Sequence, residues 1–207
     1  MSNGDMSAGT AVQGQRTPGW LTRQDVAVAL LVSVALALGA LLGLRVDGAT
    51  ATFQEDGSPF RIAYPATWSV PEPPAGMLLR AEDPRTDSAY KTTLTVERRD
   101  IDPAAPPTLQ TLVDRRIAQR SELTAHTLLV NDEATVDGER GARLEYAYVA
   151  QPIEGPRRSA VPVVVRAREY VVVAADRAYY ITLAAPEAEA DGAFARFERM
   201  IGEARVR

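Results

Sequence analysis

His126 is the only histidine in the 207-residue chain, and the chain has no cysteine. A histidine works as a general base or metal ligand when a second group orients it or shares its ligand. His126 has no histidine or cysteine partner, and it stands in line with Leu128 and Val130 on a predicted strand. It therefore reads as a strand residue. The serines Ser58, Ser69, Ser88, Ser121 and Ser159 fall in turns or at element ends, and no Gly-x-Ser-x-Gly is present. The carboxylate pairs Glu55-Asp56, Glu82-Asp83 and Asp132-Glu133 offer acid–base or calcium chemistry. None has the alternating spacing, glycine and distal glutamate of a calcium loop, so loop acidity explains them better. Neither a phosphate loop nor a dinucleotide fingerprint occurs. Without cysteine, disulfides, thiolate metal sites, a thiol nucleophile and a lipid-modified cysteine are excluded. No catalysis, metal or cofactor is expected.

The densest basic groups are Arg115, Arg116 and Arg120 on a predicted helix, and Arg157 and Arg158 in a loop. These five are the candidates for docking an anionic partner or lipid headgroups, set against the plainer reading of a solvated helix face and a polar loop. The loop Pro152–Pro162 is long, proline-bearing and charged, which suits contact with a partner. The formal net charge is −4, and the charges before residue 48 cancel, so the remainder also carries −4. That opposes nucleic-acid binding, which needs a basic surface. Trp68 invites a stacked ligand, but after Tyr64-Pro65 it reads as a plug between sheet and helix.

These residues must be positioned by the following elements. Alternation predicts strands at 49–54, 60–64, 77–81, 90–98, 126–130, 134–136, 143–149, 163–173 and 178–184. Asp56-Gly57, Asp137-Gly138 and the Asp176-Arg177 corner predict reversals. Thr108 predicts the cap of a helix over 109–122, whose apolar stripe is Leu109, Leu112, Val113 and Ile117, with Arg115, Arg116 and Arg120 largely away from it. A final helix opens at Pro186 and carries Ala190, Phe194, Phe197 and Ile201 on one face. Strand runs broken by two helices predict an α+β fold with a mostly antiparallel sheet.

Before all this, 19 residues from Val26 to Leu44 carry no charge. A helix rises about 1.5 Å per residue, so roughly 20 apolar residues cross a bilayer core. The run has no polar face, which separates it from the surface helix of a globular domain. It predicts a disordered cytoplasmic tail at 1–24, one transmembrane helix at 25–45, and an extracytoplasmic domain at 46–207. Trp20 and the arginines Arg16 and Arg23 flank its first end. The alternative is a cleaved signal peptide, because Ala49-Thr50-Ala51 offers a cleavage pattern that would start the mature chain near Thr52.

The stretch Phe60-Arg-Ile-Ala-Tyr64-Pro65-Ala-Thr-Trp68 and the ending Tyr179-Tyr-Ile-Thr-Leu-Ala-Ala-Pro186 with its following helix resemble the PsbP-like family. That family includes photosystem extrinsic proteins, nuclear-transport proteins of the same fold and bacterial extracytoplasmic domains. Tyr64, Pro65 and Trp68 are the structural signature. The resemblance implies an α/β/α sandwich with a central antiparallel sheet, used to bind other proteins, often at a membrane surface. It carries over no catalytic residue. The expectation is a single-pass cell membrane protein, held through Val26–Leu44, that binds another protein. The alternative is a small-ligand or lipid pocket near Trp68.

Overall fold

The computed structural model describes residues 23–155, 158–159 and 161–207. They divide into two units, one ending at Leu44 and one running from Arg45 to Arg207. The first belongs to helix α1 (Arg23–Asp47), 25 residues long. Over residues 26–39 its valines and leucines, among them Val28, Leu31 and Leu36, are exposed. Ser33 satisfies its hydroxyl inside the helix, donating to the Ala29 carbonyl at 2.8 Å. Side chains of α1 are described over residues 26–39, and among the described residues no helix is long and apolar enough to cross a membrane. Residues 1–22 of the predicted tail, Trp20 among them, lie outside the described residues, and its last two residues belong to α1.

The second unit is built on a six-stranded antiparallel sheet of strand order β3-β4-β10-β9-β6-β5. Its strands are β3 (Met77–Glu82), β4 (Thr93–Asp100), β5 (Thr127–Val136), β6 (Glu139–Ala150), β9 (Val163–Ala174) and β10 (Arg177–Pro186). A separate hairpin pairs β1 (Thr50–Gln54) with β2 (Arg61–Pro65). A small one pairs β7 (Ile153–Gly155) with β8 (Arg158–Ser159) inside the loop after β6. Helix α2 (Leu109–Arg120) leads from β4 to the far edge strand β5. Helix α3 (Ala190–Glu203) closes the chain after a short 3-10 turn at Glu187–Glu189.

Alternation assigns the two faces. On β9, Tyr170, Val172 and Ala174 join the core under α3, with Phe194, Phe197 and Ile201. Val171 and Val173 join the core under α2, with Leu112 and Val113. The sheet is thus covered by a helix on each face, and the first core also holds Phe60, Ile62 and Trp68 from the hairpin side. The α+β class and the antiparallel sheet agree with the sequence reading.

Three local expectations change. The segments 126–130 and 134–136 merge into the one strand β5, with His126 left just before it in a turn, because Asn131, Asp132 and Glu133 lie on a sheet edge where charges are solvated. Tyr90 does not share a face with Leu94 and Val96: β4 begins at Thr93, and Tyr90 packs across to Tyr148 with hydroxyls 2.9 Å apart. Pro186 ends β10, paired with Val165, and the helix starts four residues later. The Asp137-Gly138 reversal is as expected, both residues having positive φ. The Thr108 cap also forms, accepting from the Thr111 N–H at 3.1 Å.

Gly141 on β6 marks a close approach. A Cβ there would lie 2.6 Å from the Val171 carbonyl oxygen. Since backbone must move to relieve it, Gly141→Ala is expected to cost about 2 kcal/mol in chemical denaturation of the full chain. An unchanged midpoint would contradict the packing of β6 on β9.

Candidate functional site

Glu169 stands on the α2 face of β9, in line with Ala167, Val171 and Val173. It is fully buried. A buried carboxylate needs a cation, and α2 supplies two. Leu112, Arg116 and Arg120 are spaced four apart, so both arginines follow the buried leucine along the sheet-facing side. Arg116 Nε donates to Glu169 Oε1 at 2.6 Å. Its other nitrogens form a fork on Glu97 of β4, at 2.8 and 3.0 Å. Arg120 reaches Glu169 at 3.4 Å, and the Tyr146 hydroxyl donates to it at 3.4 Å.

Burial alone would push the Glu169 carboxyl up, but Arg120 and Arg116 with their hydrogen bonds outweigh it, so it sits below the ordinary value. Desolvation works against the charge on Arg116, yet Glu169 and Glu97 hold it protonated. The Tyr146 hydroxyl is pushed well up, first by burial and then by Glu169. Glu169, Arg116, Arg120 and Tyr146 therefore each keep one charge state near neutral pH.

Beside the network is an open cleft of about 350 Å³. Arg116 and Tyr180 form its inner wall, Arg115 and Arg99 belong to its rim, and Asp100 and Asp102 flank it. The Arg116 guanidinium lies 4.6 Å from the centre of the Tyr180 ring, and that of Arg99 lies 5.7 Å away. Arg115 is exposed, and among the described residues neither it nor Arg99 has an ion-pair partner. The cleft thus presents two uncommitted guanidiniums above a rigid aromatic wall, an arrangement that receives carboxylates or phosphates.

The structure separates the basic residues singled out in the sequence. Arg115 is at the surface on the cleft. Arg116 is 2% exposed and committed to carboxylates, so it is no surface docking group. Arg120 is part-buried over the Tyr146 ring. Arg157 and the side chain of Arg158 lie outside the described residues. Arg99, which the sequence reading did not single out, completes the cleft; it was hidden in the run Glu97-Arg-Arg-Asp100, where only the register shows which side chain faces α2. Tyr64 and Pro65 close β2 and line a second cleft. Trp68 is buried in the core and lines neither of these two clefts.

His126 packs against the Tyr146 ring at 5.5 Å, and its Nε2 has no partner among the described residues. Burial, then Arg120, pushes its imidazole below the ordinary value. Among the described residues no group of three or more His, Cys, Asp or Glu is placed to hold a metal ion.

No family model matches the chain, and no curated protein matches it. Solved structures do. Cyanobacterial PsbP (CyanoP) from Synechocystis is 14% identical, over 77% of this chain and 93% of that one, with a TM-score of 0.55. LpqN of Mycobacterium tuberculosis, described as involved in cell envelope biogenesis, is 16% identical, over 76% and 90%, with a TM-score of 0.50. At these identities the likeness shows a PsbP-like fold and leaves function to the chain's own residues.

The network makes a pH prediction. A carboxyl depressed in the folded state lends stability that is complete above its unfolded pKa and is lost as pH falls through the folded one. Glu169→Gln should cost about 3 kcal/mol at neutral pH. Its difference from the unaltered chain should shrink as the pH falls below about 4. Urea titrations at several pH values check this; parallel stability curves would show that Glu169 is not the acid-sensitive group.

Proposed function

We propose that this chain is a single-pass, membrane-anchored protein whose PsbP-like domain works outside the cytoplasm by binding another protein, without catalysing a reaction. The observation that carries the reading is α1. A helix with valine and leucine exposed all round has to be covered by lipid or by protein. Its uncharged run from Val26 to Leu44 has the length of a bilayer core. The fold of the second unit and its cyanobacterial and mycobacterial neighbours are consistent with an extracytoplasmic binding module.

The register of β1 favours an uncleaved anchor over a signal peptide. Thr50 and Ala51 pair with Pro65 and Tyr64. A mature chain starting at Thr52 would lose those two pairs.

The cleft beside α2 is the docking site in this reading. Its ligand is an acidic segment of a membrane partner, which pairs with Arg99 and Arg115 while Tyr180 and Arg116 provide a wall that does not rearrange. Tethering to the same membrane raises the effective concentration, so modest affinity suffices.

Crosslinking in native membranes, followed by gentle detergent extraction, should recover the chain with a membrane partner. Reversing two rim charges with Arg99→Glu and Arg115→Glu should lower that yield about tenfold while the fold persists. Recovery as a free monomer, or a yield indifferent to the two reversals, would overturn the docking assignment. An N-terminus at Thr52 in the mature protein would overturn the anchor.

A further inference from the structure

A second cleft, of about 250 Å³, lies between the start of β1, the end of β2 and one side of α3. Gly48, Ala49 and Thr50 line it together with Tyr64 and Pro65. The helix contributes Arg196, Arg199, Met200 and Glu203, spaced to share one side. Arg199 is exposed and has no ion-pair partner among the described residues. Arg196 reaches Asp83 only loosely, at 3.7 Å. Tyr64 is half-buried, and its hydroxyl has no hydrogen-bond partner among the described residues.

Covalent reach decides what this cleft meets. Gly48 is four residues beyond Leu44, the last residue of the uncharged run. Four residues span at most about 14 Å. The headgroup layer on one side of a bilayer is about 5–7 Å deep. Gly48 is itself part of the cleft wall, so the wall is within reach of the headgroups once the run is embedded, and the tether alone leaves room for it to seat on them or stand off. A tyrosine with a free hydroxyl suits that layer. An unpaired arginine suits a phosphodiester.

We infer that this cleft seats the phosphodiester headgroup of an anionic glycerophospholipid, with Arg199 as the principal contact, Arg196 as the second and Tyr64 donating from the side. Glu203 and Asp83 bound the charge of the site and leave Arg199 as its uncommitted cation. Headgroup binding then fixes which side of the domain faces the lipid. The inference rests on the membrane anchor proposed above.

The absence of cysteine allows a single labelled site. Ala66, exposed beside Pro65, takes the probe as Ala66→Cys carrying an environment-sensitive fluorophore. Glu133→Cys on edge strand β5, where the side chain is 92% exposed, is the control. The full chain is reconstituted into phosphatidylcholine vesicles with or without phosphatidylglycerol, each containing a headgroup-linked quencher. Flotation scores insertion, and quenching scores docking. The expected result is flotation with both lipids, strong quenching at residue 66 only with phosphatidylglycerol, and little quenching at residue 133. Arg199→Gln, a surface change, should shift the docked-to-undocked ratio about fivefold, and adding Arg196→Gln should shift it further. A chain that fails to float sinks the anchor and this inference together. A chain that floats but shows no quenching at residue 66, equal quenching with both lipids, or indifference to Arg199→Gln overturns this inference and leaves the anchor standing.

Discussion

The buried pair of Arg116 and Glu169 is the constraint on which the α2 side of the domain depends. Helix α2 has twelve residues and fully buries two apolar side chains, Leu112 and Val113, with Leu109 and Ile117 half-buried beside them. So narrow an apolar stripe constrains the rotation of the helix only loosely. The carboxylate of Glu169 is shut off from bulk solvent, and among the described residues it accepts from Arg116, Arg120 and Tyr146. One rotation of α2 meets that demand and brings the Arg116 fork onto Glu97. Such a pair contributes less net stability than its short distances suggest, because both ions lose hydration. Its larger effect is to make other placements of α2 costly, since each would leave a buried charge alone.

The opposite face follows another rule. There α3 inserts Phe194, Phe197, Met200 and Ile201 into the larger core, and apolar burial sets its position. The charges on that side lie at the margin, where Glu198 receives Arg168 at 2.5 Å and the Tyr170 hydroxyl at 2.8 Å. The hairpin of β1 and β2 is held similarly: Glu55 receives Arg98 and the Tyr179 hydroxyl, and Arg61 and Arg205 exchange backbone bonds at 2.9 Å. The ionic groups in these clusters are thus mutually neutralised.

Much of the fold was legible in the sequence. Alternation of period two located the strands, Asp137-Gly138 required a reversal, and Phe194, Phe197 and Ile201 announced the buried side of α3. The candidate site was legible only in part. Arg116 reads as a solvent-facing arginine by its charge, although its spacing of four from Leu112 puts it on the buried side. Glu169 was the matching signal: a carboxylate on the apolar side of a strand that reads Val-Val-Val-Arg-Ala-Arg-Glu-Tyr-Val-Val-Val. A charge there demands a buried cation, but the sequence does not say which. That depends on the strand order β4-β10-β9-β6, which brings residues 97, 116 and 169 together from three separate segments. Arg99 was illegible for the same reason.

One buried charge pair sets the placement of α2 and the wall of the cleft beside it. The most direct measurement is a double-mutant cycle on the full chain, using Arg116→Met, Glu169→Met and both together, with chemical denaturation as the readout. Each single change should cost about 3–5 kcal/mol, because it strands the other ion. The double change should cost far less than the two combined, with a coupling well above about 1 kcal/mol. Additive losses would contradict the account, because they would mean that the two side chains contribute independently and that α2 is held by its apolar contacts alone.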